Sequence, residues 1–513
     1  MIDFIIVLSY FGVILLIALK GKINSDTTAD DYFLSSRNLP WYSIAVSTIA
    51  TNIQGYQFLG MMGSAYLYGL AQANLEINAV QGILIGTFVF VPLFLKEKIT
   101  TITQYIKIKL GARVALFYSL ANIGLFATIT LGAALFWGAY AADMVFGEQL
   151  QFIHSNRIIR IGILILILGG FSAVYTYFGG LSAVVRTDIV QFGVLLIGGI
   201  VVCLTAVYHL GGWEQLYIKT PEKMHLHLPA SHETLPWTHL FGLFFLNINY
   251  WCANQTVMQR ALAAKSIAHA QTGLMVGGLI KYVMAVLIVV PGIALNGIIG
   301  DTLGEPDLAF PYLVKTYLPV GVKGIILCGL FASLMSTVDS TFNSLATLWS
   351  VDIYATYLNP KANDAQKISA GRKAILVSLG TALLMGMILL YLKFENPDSA
   401  FTHTLNSLRY FINCGIVVLI CSAVLILKPK SKIILAAFII TVPINILILL
   451  IFPEMNYFVR AFWVIFTGLL FALLGNQSQL VSIGSLFKAA SSKHKFWGIM
   501  LIISLLLLHL VFH

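Results

Sequence analysis

Within the segment LCGLFASLMSTVDSTFNSLATL, the residues Ser333, Ser336, Thr337, Asp339, Ser340 and Ser344 recur in a stretch otherwise apolar enough to lie in lipid. Spacings of three and four put Ser333, Ser336, Thr337 and Ser340 on one side of an α-helix. Strongly polar residues inside a bilayer are costly and mark an ion or substrate path. Neutral hydroxyl oxygens hold a monovalent cation weakly enough to release it, so this face predicts a sodium site. Serines also pack helices closely or bond back to their own backbone. Five hydroxyls accompanied by an acid exceed what packing requires.

Two other apolar stretches are interrupted by polar residues, one by Ala50-Thr51-Asn52-Ile53-Gln54-Gly55-Tyr56-Gln57 and one by Asn247-Ile248-Asn249-Tyr250-Trp251-Cys252-Ala253-Asn254-Gln255. An unwound helix frees backbone carbonyls, which in a bilayer must find a partner. Carbonyls near Ala50 and Ile53 are therefore expected to join Ser333, Ser336 and Thr337 around one Na⁺. Paired interruptions in halves that run through the membrane in opposite senses point to a secondary transporter's binding site. Asp188 and Asp339 are two further carboxylates within or beside spans. Either could ligate a second cation; Asp339 could instead carry a proton, and Asp188 could pair with Arg186 at the interface.

Glu76 and Lys281 each stand among apolar neighbours. They could form a purely structural buried ion pair. Joined to Gln57, Asn78, Asn247 and Asn406, with Tyr250 and Trp251, they instead make a solute site rich in donors and acceptors, with rings to cover C–H faces. That chemistry suits a neutral sugar. An amino acid would need its carboxylate met by helix ends, and Glu76 would oppose it. No H-x-x-x-H pair sits on a helix, so no metal site is expected beyond Na⁺. The chain lacks G-x-x-x-x-G-K-[ST], so ATP is not the expected energy source. No nucleophile, base and orienter set suggests an enzyme.

These side chains need a membrane scaffold. With 58% hydrophobic and 10% charged residues over 513 positions, the chain reads as an all-α polytopic membrane protein. Apolar runs are long and continuous, which excludes the short alternating segments of a β-barrel. About 14 spans are expected by the roughly 20-residue criterion. The net charge of +10 comes from basic residues gathered in short loops, so it reads as topology rather than nucleic-acid binding. Those loops put both termini outside, and only Lys281 and Arg409 remain as basic residues within spans. The first apolar run has Asp3 before it and Lys20 and Lys22 after it, the reverse of a signal peptide, so it is expected to be retained. The five cysteines have no CxxC spacing and read as packing residues.

The segments DYFLSSRNLPW, ATNIQGYQF, YFGGLSAVVRTDIVQ, YWCANQTVMQRALAAKS and ASLMSTVDSTFNSLATLWSVDIY resemble, in order, the sodium/solute symporter family, and within it the sodium/glucose and sodium/galactose cotransporters. The resemblance implies a LeuT-like inverted five-helix repeat. Residues 1–40 would be a peripheral helix and loop, 41–210 the first repeat, 211–430 the second, and 431–513 peripheral helices. It places the principal sodium site on Ala50, Ile53, Ser333, Ser336 and Thr337, and a second near Asp188, Ser336, Asp339 and Ser340. Sugar contacts fall on Gln57, Glu76, Asn247 and Lys281, with Tyr250 as inner gate and Asn406 where sugar transporters carry glutamine. The expected activity is Na⁺-driven sugar import by alternating access across the plasma (inner) membrane, with no organic cofactor. The alternatives are a Na⁺ or H⁺ symporter for myo-inositol, an amino acid or a carboxylate, or a sensor that keeps the transporter fold. Oligomeric state is not legible in the sequence.

Overall fold

The computed structural model describes residues 2–20, 27–395, 401–476, 480–481 and 491–513, with backbone alone for 401–404. Among them the backbone is almost wholly helical, and β-pairing is confined to three isolated bridges. This follows from the solvent, since a helix satisfies its own amides and carbonyls in lipid without an edge to cover. Eleven described helices are long and apolar enough to cross a bilayer.

The elements that position the site are α1 (Ile2–Leu19), α2 (Trp41–Asn52), α3 (Arg157–Leu210), α4 (His239–Ile248), α5 (Gln255–Leu262), α6 (Ile267–Ile299), α7 (Val322–Thr347), α8 (Phe401–Leu425) and α9 (Ser492–Val511). Burial separates centre from periphery. The segment containing α7 has 94% of its most apolar window buried, against 22% for α1 and 17% for α9. A helix enclosed on every side can carry hydroxyls, whereas one facing lipid must present leucine and isoleucine.

The difference between 11 helices and the 14 spans expected has a physical origin. Around the two interruptions the chain breaks into pieces shorter than a membrane, and 57–68 continues through Gly69 into the next segment. The 54 residues of α3 would be far longer than a bilayer is thick if straight. They are divided at Gly180, whose φ of 56° and ψ of −156° are essentially restricted to glycine. A Cβ there would also stand 2.4 Å from the Tyr32 carbonyl oxygen. Gly180→Ala is expected to lower the yield of folded, monodisperse protein severely in size-exclusion chromatography. Recovery equal to the unmodified chain would show that the break tolerates a side chain.

Candidate ion and solute site

Helix α2 stops because its last turn loses its own hydrogen bonds. Ile53 adopts an extended conformation (φ −77°, ψ 114°) while its amide still bonds the Ile49 carbonyl at 3.0 Å. The next amide, of Gln54, would close on Ala50 in an unbroken helix. It donates instead to Gln57 Oε1 at 2.5 Å, and the Gln57 amide returns to the Gln54 carbonyl at 2.9 Å. The glutamine side chain thus substitutes for a helical turn and releases the Ala50 carbonyl from its helical partner.

Helix α7 faces this break. Ser333 Oγ donates to the Ile53 carbonyl at 2.9 Å, and Thr337 Oγ1 donates to the Thr51 carbonyl at 3.0 Å while also reaching the Ser333 carbonyl at 3.2 Å. All are buried. A hydroxyl that donates still has lone pairs, so Ser333 and Thr337 bring hydroxyl oxygens up to the carbonyls of the break, and neither is bonded to a carboxylate. Ser336, one residue before Thr337, turns to a different neighbour and donates to Asp188 Oδ1 at 2.5 Å.

Asp188 is fully enclosed and shared. Ser47 donates to it, and the Arg260 guanidinium from α5 lies 3.4 Å away. Arg260 also donates to Ser47 Oγ at 3.0 Å, to the Thr256 carbonyl and to Ser340 Oγ, while Thr51 Oγ1 and Ser340 Oγ are 2.8 Å apart. Asp188 and Ser340 therefore surround a protein cation. Arg186 forms no ion pair with Asp188 among the described residues. Asp339 points elsewhere, accepting from Tyr175, with Oδ1 buried and unpartnered. The three residues expected at a second cation site are thus divided between two environments. Removing the guanidinium with Arg260→Met leaves a buried carboxylate uncompensated, a loss of about 3–5 kcal/mol. A marked fall in thermal stability, recovered in the R260M/D188N double variant, is the expected result; an R260M melting temperature equal to the unmodified chain would exclude the pairing.

Above the break, Glu76 anchors a second network. Lys281 of α6 donates to Glu76 Oε2 and, at 2.5 Å, to Asn52 Oδ1, while Gln57 Nε2 donates to Glu76 Oε1 at 2.6 Å. The Lys281 ammonium also lies 5.9 Å from the Trp251 ring centroid, close enough for a cation–π contact. Gln57, Glu76, Asn247, Tyr250, Trp251, Lys281 and Asn406 all line one cavity of about 510 Å³. Its lining also includes Thr234 and Leu235 on one connection and Gly304 to Asp307 on another, with Gly304 and Glu305 exposed, so it opens toward the end of the molecule that carries these connections. Asn78 does not line this cavity. It bonds Asn74, Gln81 and His509, and its carbonyl accepts from Asn247 Nδ2 at 3.0 Å, which steadies a lining residue from behind.

Three participants were missed in the sequence. Asn52 looked like part of the break rather than a lysine partner. Arg260 was counted among loop cations, although it is fully buried. Arg409 was visible as a charge within a span, and it lines the cavity.

The contacts with α7 and the Glu76 network meet in one stretch, since only Gln54, Gly55 and Tyr56 separate Ile53 from Gln57. The Sodium:solute symporter family profile matches residues 32–422. The sodium/glucose cotransporter of Vibrio parahaemolyticus is 32% identical over 420 residues, 76% of this chain and 75% of that protein. Sodium/glucose cotransporter 1 of Ovis aries is 28% identical over 74% of this chain, which spans 62% of that relative's length. In fold, the chain matches a substrate-bound, outward-open Na⁺-coupled sialic acid symporter with a TM-score of 0.78 at 19% identity, covering 94% of this chain and 99% of that one. Mhp1, a nucleobase-cation-symport-1 family transporter, matches at 0.57 and 14% identity, covering 93% and 99%. The helical architecture is that of LeuT-fold transporters. The protein is a transporter rather than an enzyme, with Na⁺ as its coupling ion and no organic cofactor. A broken helix stitched to a hydroxyl-bearing neighbour, a polar cavity above it and a family match across most of the sequence lead to one conclusion: this chain belongs to the sodium:solute symporter family.

Proposed function

We propose that this protein imports a sugar together with Na⁺ by alternating access across the plasma (inner) membrane. The observation that carries the reading is the interruption at 50–57, which presents its carbonyls to Ser333 and Thr337 and its glutamine side chain to Glu76. Na⁺ held by Ala50, Ile53, Ser333 and Thr337 ties α2 to α7 and fixes Gln57 for the solute, while Ser336, expected from the sequence as a further ligand, is committed to Asp188. The Glu76 carboxylate and the Asn247 and Asn406 amides accept from vicinal hydroxyls, Lys281 donates, and Tyr250 and Trp251 cover the ring. Closure of the rim then encloses the solute, and loss of Na⁺ to the cytoplasm loosens its site. The similarity to sodium/glucose cotransporters supports a sugar over an amino acid or a simple carboxylate.

We read the chain as 14 passes, with α3 counted as two and each interrupted stretch as one, in repeats at 41–210 and 211–430. The loop charges favour both termini outside, which makes the cavity outward-facing. One Na⁺ moving down a potential of ~100 mV supplies about 2.3 kcal/mol. A tenfold gradient adds about 1.4 kcal/mol. Together they sustain a solute excess of several hundredfold, so a single ion suffices.

The test is uptake of labelled glucose, galactose and their derivatives into proteoliposomes. Accumulation in a Na⁺ gradient, lost when choline replaces Na⁺, is expected. Equal accumulation in choline would exclude sodium coupling.

A further inference from the structure

Besides Lys281, two cations that the sugar network leaves unassigned line the cavity, Arg409 and Lys393. Lys281 is matched by Glu76, but Arg409 of α8 lines the same cavity with no carboxylate in ion-pair range among the described residues. Its Nε is buried without a hydrogen-bond partner. Tyr56, Tyr250, Glu76 and Arg409 all line this cavity. The acids Glu305 and Asp307 line the rim, on the 304–307 connection, and Lys393 is near Asp307.

A guanidinium beside tyrosines, deep in a cavity that must close around its cargo, loses water when it closes. With a neutral solute that charge gains no acid partner among the described residues, and burying an unpaired charge is unfavourable. A carboxylate neutralises it, and the planar fork of arginine binds that group through two parallel hydrogen bonds. The hydroxyl-recognising network on the Glu76 side still requires a polyol. Building on the sugar-symport reading, we infer that the transported solute is an acidic sugar: its hydroxyl-bearing ring meets Glu76, Gln57 and Lys281, and its carboxylate pairs with Arg409. This replaces the neutral sugar expected from the sequence, where Arg409 had no role.

The experiment compares Na⁺-driven uptake of D-galacturonate and D-galactose by the full-length chain in proteoliposomes, alone and in competition, for the unmodified protein and for Arg409→Ala and Arg409→Lys. The unmodified protein should take up galacturonate with an apparent affinity at least about tenfold above that for galactose. R409A should weaken galacturonate by about a hundredfold and shift the preference to galactose, with R409K retaining part of the acid preference. A reversal of preference cannot arise from misfolding, which lowers both uptakes together. Galactose uptake that galacturonate does not compete for would overturn the inference while leaving sugar symport standing. Equal losses of both uptakes in an R409A protein that keeps the melting temperature of the unmodified chain would overturn it too. Uptake of neither solute would remove the sugar reading, and the acidic sugar with it.

Discussion

Lys281→Ala and Glu76→Ala should each reduce Na⁺-driven uptake by at least about a hundredfold while the protein still reaches the membrane. Lys281 loses Glu76 in one case, and Glu76 keeps only Gln57 in the other, so each variant leaves a charge in a site the transport cycle must dehydrate. Removing one partner of a buried pair costs about 3–5 kcal/mol, whereas replacing both is often neutral for stability. The E76Q/K281M double variant therefore separates structure from recognition. It should regain the melting temperature of the unmodified protein yet remain inactive. A double variant that transports at the normal rate would reduce the pair to packing and undo the solute assignment.

Ser333→Ala and Thr337→Ala should each raise the Na⁺ concentration for half-maximal uptake by about tenfold, and together by about a hundredfold. Each deletes one ion oxygen and one tie between α7 and the break, worth about 1 to 1.5 kcal/mol. Uptake at saturating Na⁺ should be largely preserved, because neither side chain lines the solute cavity. Ser336→Ala should act more through Asp188, to which its hydroxyl is committed. Its expected signature is a loss of thermal stability as well as a weaker Na⁺ response. An unchanged Na⁺ half-saturation in the Ser333 and Thr337 variants would move the ion elsewhere.

Much of this was legible in the sequence because lipid narrows the choices. A polar residue in an apolar run must face protein, so the spacing of Ser333, Ser336 and Thr337 marked the polar side of α7, and the cluster at 50–57 marked the break. Glu76 and Lys281 stood out for the same reason and are in contact. What spacing does not give is which side chain turns to which neighbour. Asp188 and Asp339 look equivalent in sequence, yet one is held by Arg260 and the other by Tyr175. Asn78 is two residues from Glu76 but faces away, because a helix rotates about 100° per residue and two steps reach the far side. Arg260 was hidden by its place near a span end, where arginines ordinarily meet lipid headgroups. Its burial depends on α3 and α7 closing over it, a long-range fact that local composition does not carry.

The short stretch from Ile53 to Gln57 has one more consequence. Under the proposed assignment only three residues separate the carbonyl that would meet the ion from the glutamine that would meet the solute, so coupling of the two cargoes is expected to be set locally rather than relayed across the bundle. Substitutions far from that stretch should slow turnover without letting either cargo slip through alone. Lengthening it by a single residue should produce a leak.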